Sequence, residues 1–168
     1  MSKTIAVLLA VAALACAPPP VVSAAQPVLQ PDALRVINVW MECEECTAAQ
    51  LQAVARLGPA AVPPLTQLLR NGPPSTSTDP REKAIRDRYQ QQQRYAPTHP
   101  ESKAPMSEDD TVALYLRNYR ASYRTRAAQA LRAIGTPEAR AALNQALTDA
   151  AALRLTPAEI AAIRRALQ

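Results

Sequence analysis

The sequence predicts an all-α protein: a short stack of antiparallel helical hairpins, about seven helices in all, organised around one long central helix. Three observations carry that prediction. One pattern is written twice. Gln52-Ala53-Val54-Ala55-Arg56-Leu57-Gly58-Pro59-Ala60-Ala61-Val62 leads into Leu65, Leu68 and Leu69, and Gln129-Ala130-Leu131-Arg132-Ala133-Ile134-Gly135-Thr136-Pro137-Glu138-Ala139 leads into Leu143, Ala146 and Leu147. Each copy reads as an amphipathic helix stopped by Gly, a turn with Pro, and a second amphipathic helix; such a hairpin buries only part of its apolar surface, so copies stack. The second observation is an unbroken helical spacing of apolar residues from Val112 to Ile134, with no Gly or Pro between. The third is a composition without Phe and rich in Ala and Leu, which suits closely packed helices.

The first helix starts near Pro31, because Pro fits a first helical turn and Asp32 adds a favourable charge there. Leu34, Ile37 and Met41 share its apolar side, with Val36 and Trp40 beside them and Trp40 as the largest anchor. A second helix covers about Thr47 to Leu57 and ends at Gly58, which supplies a left-handed position. The third covers about Ala60 to Arg70; its Pro63 and Pro64 are tolerable only in the first turn, where backbone donors lack intrahelical partners. Asn71-Gly72-Pro73-Pro74 stops it. From Pro73 to Asp79 the chain has Ser, Thr and Pro and no apolar residue, which reads as an exposed linker.

Pro80 to Tyr95 fits a surface helix with one weak apolar stripe, Ile85, Tyr89 and Tyr95. Residues 96–106 carry three prolines and are not a helix interior. Ser107-Glu108-Asp109-Asp110 then gives a capping hydroxyl and first-turn acids, opening the long helix that runs to Gly135. A sixth helix spans about Pro137 to Ala151. The seventh opens with Thr156-Pro157-Ala158-Glu159, a capping box with Pro at its first position, and buries Ile160, Ile163 and Leu167.

The two Gly-hinged segments resemble HEAT repeats, in particular the short bacterial kind similar to those of phycobilisome lyases. The better match runs from about Arg124 to Leu147. The resemblance implies a HEAT-like stack used as a binding surface or scaffold, and it implies no cofactor here, since nothing in the chain points to a bilin. The expected domain organisation is a leader at 1–25 and a single HEAT-like helical domain at 26–168, with an irregular Pro-rich insertion at 72–106. Gly58 and Gly135 lie 77 residues apart, about twice a usual repeat. Function is therefore sought where the insertion meets the long helix.

The start of the chain bears on compartment. Met1-Ser2-Lys3 is basic, Thr4 to Ala17 is almost wholly apolar, and Ser23-Ala24-Ala25 offers a small-residue cleavage site, the pattern of a secretory signal peptide. The apolar run is shorter than the roughly 20 residues that a membrane-spanning helix needs. The expected location is thus periplasmic or secreted. The alternative is a lipoprotein, since Leu14-Ala15-Cys16 resembles a lipobox; only lipidation of Cys16 would attach the chain to a membrane. The net charge of +5, lowered by one when Lys3 leaves, is too mild to argue for nucleic acid. Arg outnumbers Lys 16 to 3, which reads as GC-rich coding bias in a bacterium.

Cys43-Glu44-Glu45-Cys46 is the sharpest local motif. In an oxidising compartment the two cysteines form one disulfide across a short loop. A redox pair or a metal site with Met41 or His99 competes with that reading, against the charges of Glu42, Glu44 and Glu45 and the lack of four ligands. His99, the only histidine, sits among prolines without a nucleophile near it in sequence. Tyr115, Tyr119 and Tyr123 form a stripe at spacing four, and Arg117, Arg120 and Arg124 share another side of the same helix. Together these six mark a possible ligand or partner surface, fit for an anion or an acidic protein. No residue set specifies catalysis or a metal. The expectation is a non-enzymatic, exported protein-binding or scaffold module of the bacterial cell envelope; the alternative is a thiol-redox or metal-handling protein acting through Cys43 and Cys46.

Overall fold

The computed structural model describes residues 30–99 and 104–168. The expected leader at 1–25, with Cys16, lies outside the described residues. Within them the regular structure is all-helical, with no strand: α1 (Pro31–Met41), α2 (Ala48–Ala55), α3 (Val62–Asn71), α4 (Ser75–Tyr95), α5 (Glu108–Ile134), α6 (Pro137–Thr148) and α7 (Pro157–Leu167), plus a 3-10 segment at Gly58–Ala61. No described helix is long and apolar enough to cross a membrane.

Local chemistry sets most boundaries. Ser107, Thr136 and Thr156 cap α5, α6 and α7 by accepting backbone N–H bonds from Asp110, Ala139 and Glu159. Glu159 returns the favour to the Thr156 N–H at 2.7 Å, completing a capping box, and Thr47 with Gln50 does the same for α2. Gly135 ends α5 in the left-handed region at φ 69°, ψ 7°.

Several boundaries differ from expectation: α2 ends at Ala55 and α6 at Thr148, short of the expected Leu57 and Ala151, and the starts of α3 and α4 move as well. α3 begins at Val62, because residues 58–61 tighten into the 3-10 segment ahead of Pro63 and Pro64. α4 begins at Ser75, so most of the expected linker is helix. Pro74 stands as its N-cap at φ −67° and ψ 157°, a conformation that the ring favours, and Thr78 Oγ1 donates back to the Pro74 carbonyl at 3.1 Å. Pro80 lies inside the helix and forfeits one backbone bond. The lack of apolar residues misled because α4 has no buried residue at all. Polar ties hold it instead: Arg86 pairs with Glu108 and Asp109 at the start of α5, and Tyr89 donates to the Met106 carbonyl.

α5 packs against each of the other six helices. Its most extensive contacts are with α3, α7 and α2, while α1 packs on α2, α6 on α7, and α3 adjoins α6. Both α2 and α3 have α5 as their principal neighbour. The doubled motif therefore marks two alike turns, α2 to α3 and α5 to α6, and the first copy is not a self-packed hairpin. Ile37, Met41, Leu65, Leu69, Leu131, Leu143 and Ile163 fill the space between these helices and are fully buried. Trp40 is buried with them, as its anchoring role required.

Gly72 ends α3 at φ 77° and ψ −159°, a region open almost only to glycine, and a Cβ there would lie 2.7 Å from Arg120 Cγ. Arg120 can shift; the backbone cannot. Gly72→Ala is expected to lower unfolding free energy by about 1–3 kcal/mol, read as a drop in urea midpoint with unchanged slope. An equal midpoint for the variant would refute the assignment.

Candidate functional site

The junction between α1 and α2 is fastened to the middle of α5. Arg126 donates to the Met41 and Cys43 carbonyls, both at 2.6 Å, and the Trp40 indole N–H donates to the Arg126 carbonyl at 3.0 Å. Two backbone acceptors and one buried donor are satisfied by one residue. Between those carbonyls sits Glu42. Its Oε1 accepts from the Tyr119 hydroxyl at 2.6 Å and from the Tyr123 hydroxyl, and its Oε2 accepts from Arg81 Nη2 at 2.7 Å.

Glu42 thus ties three elements together: α1, α5 and, through Arg81, α4. Burial pushes its carboxyl upward in pKa, but the hydrogen bonds from Tyr119, Tyr123 and Arg81 outweigh burial and hold it below the ordinary carboxylate value. The Tyr123 hydroxyl is pushed far up, by burial first and then by donation to Glu42. The Tyr119 and Tyr123 rings meet edge to face with centroids 5.0 Å apart, and the Arg81 guanidinium lies 4.2 Å over the Tyr119 ring.

Next to this hub, α4 and α5 enclose an open cleft of about 400 Å³. Ile85, Leu116 and the Tyr89, Tyr115 and Tyr119 rings form its apolar walls; Arg81 and Arg88 bring positive charge. Tyr115 is 56% exposed, large for an aromatic ring. Arg81 is neutralised by Glu42, whereas Arg88 makes no ion pair among the described residues. Such a mixture of tyrosine and arginine is the composition that protein interfaces favour.

The six residues singled out in the sequence divide. Tyr115 and Tyr119 line the cleft, Arg117 points to solvent, and Arg120 lays its stem on Gly72. Tyr123 and Arg124 are buried and offer no surface. Arg124 donates to Glu159 at 3.2 Å and to the Arg70 carbonyl at 2.9 Å, joining the end of α3 to the start of α7, and its Nε is buried without a partner. The stripe of tyrosines is real; the arginine side is half structural.

Cys43 and Cys46 bring their sulfurs to disulfide-bonding distance, with Cα atoms 5.2 Å apart. His99 is exposed, and its ring shares a hydrogen bond with the neighbouring Thr98 hydroxyl while its backbone N–H donates to the Tyr95 carbonyl. Met41 is fully buried, away from any role as a ligand on the surface. Among the described residues no three His, Cys, Asp or Glu side chains gather as a metal site.

Glu42, Arg81, Arg88 and Arg126 carry the site without having been singled out as its members. Glu42 was read only as a charge beside the cysteines; its tyrosine partners are 77 and 81 residues away, a pairing that helical periodicity does not encode. No protein-family model, curated protein or solved structure matches this chain.

Proposed function

We propose that this protein is an exported helical module of the bacterial cell envelope that binds another protein through the α4–α5 cleft. The observation that carries this reading is the cleft itself: three tyrosine rings and an arginine that makes no ion pair among the described residues, beside the Arg81–Glu42–Tyr119 network. A rigid aromatic wall loses little entropy on binding, and Arg88 suits an acidic group on the partner. The packing of six helices around α5 and the repeated Gly-hinged turn support kinship with HEAT-like stacks, and the leader-like residues 1–25 support export.

The test is site-specific photo-crosslinking in the native envelope. A crosslinker at Tyr115 is expected to give a discrete protein adduct that Arg88→Glu reduces by about tenfold, a loss matching one charge-assisted contact. A crosslinker at Arg140, exposed on α6, is expected to give none. Equal labelling at both positions sinks the reading. Mass spectrometry of the mature N-terminus tests export: a chain beginning at Gln26 supports cleavage, and a lipid on Cys16 supports the anchored alternative.

A further inference from the structure

The cysteine pair has a closed end and an open end. Cys43 is 8% exposed and belongs to the core, whereas Cys46 is exposed on the rim of a second groove of about 570 Å³. That groove runs between the α1–α2 junction and the C-terminal half of α5. Trp40, Leu51 and Ala133 line it with apolar surface, and Gln129 and Arg132 stand at its polar side.

Three features suit this pair to opening and closing within the folded protein. The closed loop is short, with a sequence separation of 3, so loss of the bond returns little chain entropy and leaves the fold standing. The turn is also held without it, because Arg126 and Trp40 fasten Met41 and Cys43 to α5 through backbone carbonyls and the indole. Finally, both products of opening have a place. Arg126 brings a positive charge to the same turn, through its bond to the Cys43 carbonyl, and so favours a thiolate forming there. Once protonated, the Cys43 thiol has the Trp40 carbonyl oxygen 2.9 Å from its sulfur as an acceptor. Accommodating the reduced form makes a disulfide a better oxidant.

The geometry points to a further activity: the Cys43–Cys46 disulfide oxidises a dithiol peptide seated in the Trp40–Leu51 groove, with attack at Cys46. A substrate thiolate forms a bond to Cys46 Sγ, the Cys46–Cys43 bond breaks, and its electron pair leaves on Cys43, which takes up the proton lost by the substrate. The second substrate thiolate then attacks the substrate sulfur of this mixed disulfide and expels Cys46 as thiolate, which takes up the second proton. Two electrons and two protons pass to the protein, and the substrate becomes a disulfide. A small-molecule disulfide in excess restores the oxidised pair by the reverse exchange. Glu44 and Glu45, exposed in the same turn, disfavour anionic thiols such as glutathione and favour neutral or basic apolar peptides.

The experiment mixes the oxidised protein with a synthetic peptide carrying two cysteines two residues apart, flanked by Leu and Lys, and follows one turnover by mass spectrometry. The expected products are one peptide disulfide and two protein thiols, at unchanged helical circular dichroism, with the transient adduct mapped to Cys46. Glutathione is expected to react about tenfold more slowly per thiolate, and Leu51→Asn, which removes the apolar wall without adding charge, to slow the peptide about tenfold. With an aromatic disulfide reagent, Cys46 in a Cys43→Ala protein is expected to react at least about tenfold faster than Cys43 in a Cys46→Ala protein, the difference vanishing in denaturant. The wild-type adduct map stands alone if either variant fails to fold. An adduct on Cys43, peptide oxidation only in unfolded protein, or rates indifferent to Leu51→Asn overturns the proposal.

Discussion

Glu159→Ala is expected to lower unfolding free energy by about 3–5 kcal/mol, the cost of stripping a buried charge of its partner. Glu159 is 3% exposed and Arg124 7%. Removing the carboxylate leaves the Arg124 guanidinium buried with one neutral acceptor, the Arg70 carbonyl, and an Nε that is already without a partner. It also dissolves the capping box of α7, since Glu159 accepts from the Thr156 N–H. Replacing both members with Met is expected to cost much less than Glu159→Ala alone, because the uncompensated charge disappears with the pair. Urea unfolding of the three proteins checks this; a double variant as unstable as the single one would contradict it.

The same residue shapes the acid limb. Burial raises the Glu159 pKa, but hydrogen bonds from Thr156 and Arg124 prevail and hold it below its ordinary value of 4.5; Glu42 is likewise held below 4.5. A depressed folded pKa gives stability that is present in full above the unfolded value and is lost as pH falls through the folded one. Urea midpoints are therefore expected to be flat near neutrality and to fall below about pH 4.5. Glu42→Gln is expected to flatten part of that fall. An unchanged acid slope would show that the Tyr119–Tyr123–Arg81 hub adds nothing to the fold.

Leu131→Ala is expected to cost about 2–5 kcal/mol. Leu131 is fully buried in the C-terminal half of α5, in the one cluster that draws on α1, α2, α3, α6 and α7. Helices fixed by so many neighbours collapse poorly into a cavity, which places the loss toward the upper part of that range. Domains of this size have unfolding free energies of about 5–15 kcal/mol, so the variant loses a large share of the whole. The measurement is again the urea midpoint, with Leu34→Ala, on an exposed side chain of α1, expected to fall within about 0.5 kcal/mol of wild type.

Helices were legible wherever a boundary is written in one or two residues. Pro31, Ser107, Gly135 and Thr156 each name a start or stop through backbone chemistry and stand where it requires, whereas α2 ends at Ala55 and Gly58, at φ 62°, opens the 3-10 segment instead of closing that helix. α4 was legible only in part, because its first turns are held by Pro74 and by distant ion pairs rather than by an apolar stripe. The doubled motif showed that two junctions are alike but not which helices embrace. Partner choice is set by shapes meeting across 54 to 86 residues, as with Arg124 on Arg70 and Trp40 on Arg126. The tyrosine stripe told of a face; that Tyr123 turns inward to Glu42 while Tyr115 turns out follows from where α1 ends, which no local spacing contains.

The central place of α5 has a temporal meaning. A growing chain emerges from its N-terminal end, yet α2 and α3 have as principal neighbour a helix that finishes at Ile134. Until then Leu65 and Leu69 have only the turn and one another to shelter them, and contacts at such separations slow the search for the native arrangement. The nascent protein must stay unfinished through most of its synthesis, and it gains its shape in a late, concerted step as the last third of the chain arrives.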